Sequence, residues 1–147
     1  MAYVVAQDIY ESLTTVARSQ GVCHGTIWED SGVQLLARVN RADNTPLLQA
    51  EITSITGKVF LLDSTTPTTA SSTPTVTVAS VIFDTLQTDS RWDADSTGYN
   101  FKLQLGASAF ATGNARYRIE FEFDPSTAGE ENCVMVFELS VQERYAG

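Results

Sequence analysis

The sequence predicts an all-β fold: an antiparallel, Ig-like β-sandwich of about seven strands, preceded by an N-terminal arm or short helix. Three observations predict it. Apolar and polar residues alternate strictly in several segments, which is the pattern of strands with one buried face. Turn-forming clusters separate those segments, at 29–32, 41–46 and 124–129. The charged share is 18%, below the roughly 25% of an average domain, and Thr and Ser fill the gap, which suits strands and turns.

Taken in order, residues 1–20 form the arm or short helix and 21–147 the sandwich domain. Ile9, Leu13, Val16 and Ala17 lie near one helical face, yet the segment is Thr-rich and fits an extended arm equally well. The first strand is predicted at 22–29 and the next at 33–39, with Val33, Leu35, Ala37 and Val39 on one face. A short strand follows at 58–62, and the Ser-, Thr- and Pro-biased stretch 64–74 reads as a long flexible loop. In 75–84 the apolar parity changes between Val78 and Val81, which predicts a bulge or two separate strands. In 99–105, Tyr99, Phe101, Leu103 and Leu105 are predicted inward. In 115–124, Tyr117, Ile119, Phe121 and Phe123 point in, and Arg116, Arg118, Glu120 and Glu122 point out. The last strand, 132–141, has an apolar face of Cys133, Met135, Phe137, Leu139 and Val141. Val134 and Val136 make its first half apolar on the other face too, so a partner or loop is expected to cover it.

Length and charge exclude several classes. The 147 residues fit one domain with a real core. A net charge of −9 disfavours phosphate backbones, so no nucleic-acid partner is expected. No apolar run reaches membrane-spanning length, and the N-terminus lacks the basic region of a signal peptide. The expected setting is the cytoplasm, or a particle assembled there. Cys23 and Cys133 show no metal or redox spacing, and a bridge between them is left open.

Catalytic chemistry is not indicated, and the chain reads as no enzyme. His24 is the only histidine, and in a strand it faces away from Cys23. Paired acids such as Glu120 and Glu122 sit on a solvated face, where nothing separates their pKa values. No phosphate loop, nucleophile elbow or dinucleotide fingerprint is present.

One segment raises a metal question. In W-D-A-D-S-T-G-Y-N-F, 92–101, Asp93, Asp95, Thr97 and Gly98 occupy positions 1, 3, 5 and 6 of a calcium loop. Position 12 is Gln104, where the loop needs a bidentate Glu, so an EF-hand is excluded. What remains is an open site at Asp93, Asp95 and Thr97, with calcium as its ion; otherwise no cofactor is expected. The preferred reading is a turn in which Gly98 supplies a positive φ and launches the strand at Tyr99, with the calcium site as the minority alternative. Trp28, Trp92, Tyr99 and Phe101 are the aromatic candidates for a glycan platform. Trp92, in a turn, would be that platform if exposed, and would otherwise close the sandwich end.

The stretch G-V-Q-L-L-A-R-V-N-R-A-D-N-T-P-L-L-Q-A-E-I-T-S-I-T-G-K-V-F, 32–60, resembles the start of phage structural β-sandwich domains of the baseplate upper protein N-terminal kind. R-W-D-A-D-S-T-G-Y-N-F, 91–101, and Y-R-I-E-F-E-F-D-P followed by F-E-L-S-V are similar to proteins of phages and prophage-like clusters. The resemblance is one of pattern and covers about residues 22–143; the first 20 residues match nothing in it. It implies a non-enzymatic virion subunit of the tail, neck, baseplate or capsid. Such a subunit is assembled in the host cytoplasm and is a homo-oligomer that contacts other virion proteins. Ile9, Leu13, Val134 and Val136 are then the expected interface. The competing expectation is a carbohydrate-binding or adhesion sandwich, assisted by calcium.

Overall fold

Eight strands carry the alternating segments. The computed structural model describes residues 2–10 by their backbone, and 22–41, 45–127, 129 and 132–145 in full. The strands are β1 (Ala2–Tyr10), β2 (Cys23–Trp28), β3 (Val33–Asn40), β4 (Ile52–Leu61), β5 (Ile82–Gln87), β6 (Tyr99–Leu105), β7 (Ala115–Pro125) and β8 (Cys133–Gln142). They form two four-stranded sheets, ordered β1-β3-β6-β5 and β2-β8-β7-β4. The fold is the β-sandwich that the alternation predicts.

Two details of that prediction change. The β3–β6, β5–β6, β4–β7 and β7–β8 ladders are antiparallel, whereas β1–β3 and β2–β8 are parallel. Alternation fixes which face of a strand is buried, but not the direction of its neighbour. Residues 2–10 are a strand at the edge of the first sheet, not a helix. Leu13, Val16 and Ala17 lie outside the described residues.

The core fills the space between the sheets. Val33, Leu35, Ala37 and Val39 of β3 and Phe101 of β6 face Tyr117, Ile119, Phe121 and Phe123 of β7 and the Met135, Phe137 and Leu139 row of β8. Phe121 lies 5.3 Å from Phe101 and 6.1 Å from Phe137, ring centre to ring centre. Each such buried aromatic contributes on the order of 1.5–3 kcal/mol through removal from water. Cys23 pairs with Phe137, and Cys133 lies four residues earlier on β8. That puts the two cysteines roughly 13 Å apart along the strand, beyond disulfide reach, and they are not bridged.

Between Val78 and Val81 the chain makes neither a bulge nor two strands; the β5–β6 register is irregular further on, between Ile82 and Gln87. Val78–Val81 is a single helical turn, and Ile82 then starts β5. The parity change is the three-residue spacing of Val78 and Val81, both of which pack on the core. The predicted strand at 58–62 begins earlier, at Ile52. The 64–74 loop returns to β4: Val59 donates its N–H to the Ser72 carbonyl at 2.8 Å, and Ser71 donates to the Val59 carbonyl at 2.7 Å. Those bonds occupy an edge of β4 that is otherwise open to intermolecular pairing.

Candidate functional site

Two surfaces concentrate polar chemistry, one on the outside of each sheet. On the first sheet, Gln34, Leu36 and Arg38 of β3 point away from the core, and residues 88–98 fold across them. Leu36, Trp92 and Tyr99 form a second buried cluster, with Phe83 beside it. The Trp92 and Tyr99 ring centres are 5.7 Å apart. Trp92 is therefore neither exposed nor at the sandwich end; it roofs the outer face of β3. Tyr99 belongs to this roof and not to the main core. Its hydroxyl donates to Asp89 Oδ2 at 2.6 Å and accepts from Arg91 Nη2 at 3.1 Å.

Asn100 accounts for the displaced parity of Tyr99. The β3–β6 ladder ends at Ala37 and Phe101. Beyond it, the Val39 N–H donates to Asn100 Oδ1 at 2.7 Å, and Asn100 Nδ2 donates to the carbonyls of Val39 at 2.9 Å and Leu47 at 3.1 Å. A buried amide side chain takes over the bonding of a strand residue. The chain is then free to carry Tyr99 to the outer face.

Asp95 sits at the centre of the roof. Its Oδ1 accepts from Arg38 Nη1 at 2.9 Å, Trp92 Nε1 at 2.9 Å, the Thr97 N–H at 3.0 Å and the Gly98 N–H at 3.3 Å. Its Oδ2 meets Arg38 Nη2 at 2.8 Å. The Arg38 hydrogen bonds first, and then that of the Trp92 indole, hold the Asp95 carboxyl well below the usual carboxylate range. Asp89 is lowered in the same way, first by Arg91 and then by Tyr99. The calcium reading of Asp93, Asp95 and Thr97 is corrected by this arrangement. The oxygens of Asp95 already serve N–H donors, and a cation beside them would meet the Arg38 charge. Asp93 and Thr97 are exposed on the loop. Gly98 has a φ of 106°, as the turn reading expects.

The outer face of the second sheet is more open. His24, Thr26 and Trp28 of β2 stand beside Glu138, Ser140 and Gln142 of β8 in register. Arg118 and Arg116 of β7 continue the rows from Glu138 and Ser140. Arg118 is held between Glu120 at 2.6 Å and Glu138 at 3.3 Å. Arg116 is only loosely engaged, 3.9 Å from Asp63, with 62% of its side chain exposed. A shallow cleft of about 300 Å³ opens over His24, Thr26, Arg116, Glu138 and Ser140. Trp28, 58% exposed, stands at the end of the same strand. Sequence reasoning named Trp28 among four aromatics and placed Tyr99 and Phe101 inward, but took Trp92 and not Trp28 as the candidate platform.

The expected interface residues divide. Ile9 lies in β1, opposite Val39. Leu13 is outside the described residues. Val134 is half-buried beside Thr56, Lys58, Glu120 and Glu122. Val136 is only 7% exposed, so this chain already covers it and it does not need a partner. His24 is exposed and Cys23 packs on the core, on opposite faces of β2 as alternation requires.

Among the described residues, fold and surfaces together define a β-sandwich of eight strands with one roofed and one open outer face. No family model matches the chain, and no curated protein does. Among solved structures, the N-terminal domain of phage TP901-1 ORF48 is similar, at 12% identity and a TM-score of 0.39, covering 94% of this chain and 98% of that one.

Proposed function

We propose that the chain is a non-enzymatic structural subunit of a phage or phage-like particle, acting through oligomeric protein–protein contacts. The observation that carries the assembly reading is β1. Its described bonding is a parallel ladder to β3 at a sheet edge, from Ala2 opposite Val33 to Tyr10 opposite Asn40. A main-chain ladder to a terminal strand is indifferent to which copy supplies the strand, so exchange between copies is a low-cost route to oligomers. In this reading residues 1–20 are the assembly arm, Ile9 and Leu13 travel with it, and Val134 adds apolar contact on the other sheet. The particle setting comes from the patterns at 32–60 and 91–101. In this reading the protein belongs to a virion assembled in the host cytoplasm.

The test compares the mass in solution of the full chain with that of a chain lacking residues 1–20. The reading expects an oligomer that becomes a folded monomer on deletion, with near-ultraviolet circular dichroism reporting the fold. A full chain that is a monodisperse monomer at every concentration overturns it. The glycan-binding alternative loses its original anchor, because Trp92 is buried; its aromatic plane is now Trp28.

A further inference from the structure

We infer that the outer face of β2, β8 and β7 is a binding site for a neutral oligosaccharide. The argument begins with Trp28. A large aromatic side chain 58% exposed on a regular strand offers a broad apolar plane to solvent, and here it adjoins a row of hydrogen-bonding groups. Its surroundings are not apolar, so the occupant is not a greasy protein surface. Thr26 and His24 precede it on the same face of β2, and Gln142, Ser140 and Glu138 stand opposite them on β8. Toward sugar hydroxyls the guanidinium donates, the carboxylate accepts, and the hydroxyl, imidazole and carboxamide groups do both. An aromatic plane adjoining such groups matches a ring with one C–H face and a polar rim.

The geometry sets length and charge. From His24 to Trp28 is four residues of strand, roughly 13 Å, which is a strip and not a point. The cleft over Thr26, Ser140 and Arg116 is about 300 Å³, at the small end of ligand pockets and open along the strip. The Arg116 guanidinium is the least engaged of these groups: it lies 3.9 Å from Asp63, whose carboxylate takes the Arg116 backbone N–H at 2.7 Å. The charge of the ligand follows from the neighbours. Glu138, Glu120 and Glu122 share this face with Arg116, Arg118 and Lys58, so it carries no excess charge of either sign, while the whole chain carries −9. Anionic glycans are repelled, so the ligand is neutral.

β1 lies in the other sheet, alongside β2, and oligomer mass and glycan binding are read out separately, so the failure of one reading is told apart from the failure of the other. The full chain is applied to an array of neutral and acidic oligosaccharides built from glucose, galactose, N-acetylglucosamine and sialic acid. Neutral binders are then titrated while the amide and indole signals are followed by NMR. The expected result is saturable shifts at Trp28, Thr26 and Ser140, with affinity at least about tenfold weaker in Trp28→Ala. Arg116→Ala should lose a few-fold, and added salt should change little. The exposed positions leave the fold intact, and an unchanged thermal midpoint checks this. A blank array, preference for the sialylated glycans, or equal binding by Trp28→Ala overturns the assignment.

Discussion

The Arg38 guanidinium grips the Asp95 carboxylate at two points, 2.9 Å and 2.8 Å, and so ties β3 to a loop some 57 residues later. Arg38 is 6% exposed and also donates to the Gly98 carbonyl at 3.1 Å. Its guanidinium lies 5.8 Å from the Trp92 ring centre. Removing Asp95 would take a two-point counter-charge from a nearly buried cation, which costs far more than losing a surface pair. Asp95→Ala should lower stability by about 3 kcal/mol in urea unfolding. In an Arg38→Met, Asp95→Ala double variant, much of that stability should be recovered, because the buried cation is removed together with its partner.

Acid should act on the same contact. Asp95 and Asp89 have folded-state pKa values depressed by their arginines. A depressed carboxylate stabilises the fold above its unfolded pKa, near 3.9. That stability declines as pH falls below this value and vanishes once the folded group protonates. The stability difference between the wild type and Asp95→Asn should therefore be constant from about pH 7 to 5 and shrink below about pH 4. Urea midpoints at each pH check it. A difference that grows in acid would contradict the sign.

Calcium should be without effect on the fold. Because N–H donors and Arg38 occupy the Asp95 oxygens, millimolar calcium or chelator should leave the thermal midpoint where it is. A rise with calcium that Asp95→Asn abolishes would restore the metal site.

Gly98 has little freedom to change. A Cβ there would come 2.4 Å from the Gln87 carbonyl oxygen, at a φ of 106°. Gly98→Ala should cost about 1–3 kcal/mol from the backbone conformation alone, plus the displacement of β5. Calorimetry measures it, and fluorescence of Trp92 in a Trp28→Phe background reports whether the roof loosens.

Asn100 should be intolerant as well. Replacing it with Leu strands the Val39 N–H and the Leu47 carbonyl, both buried, and leaves the Val39 carbonyl with the Leu47 N–H alone. Each unsatisfied buried group costs about 1–3 kcal/mol, so the variant should be at the edge of folding. Faster amide exchange at Val39 would locate the damage.

Much of the sandwich was legible in the chain. The inward rows Tyr117 to Phe123 and Cys133 to Val141 follow from strict alternation, which is a local property of a pleated strand. The turn at Gly98 was legible for the same reason, since its φ is a demand of the local backbone. The Val78–Val81 turn left a trace too, a three-residue spacing that alternation reads as a slip.

What lies outside the reach of one strand was decided by tertiary structure. Tyr99 has inward parity, yet it leaves the core because Asn100 reaches across to Val39. Trp92 and Trp28 are both aromatic residues near turns; one is buried because residues 88–98 cross Leu36, and the other is open at the end of an edge strand. Asp95 looked like a metal ligand until Arg38, distant in sequence, was found beneath it. Alternation by itself determined which faces the sandwich buries, because burial of a strand face is set residue by residue. Only the tertiary structure decided which outer face is roofed and which is open, because that depends on long-range contacts that no local pattern contains.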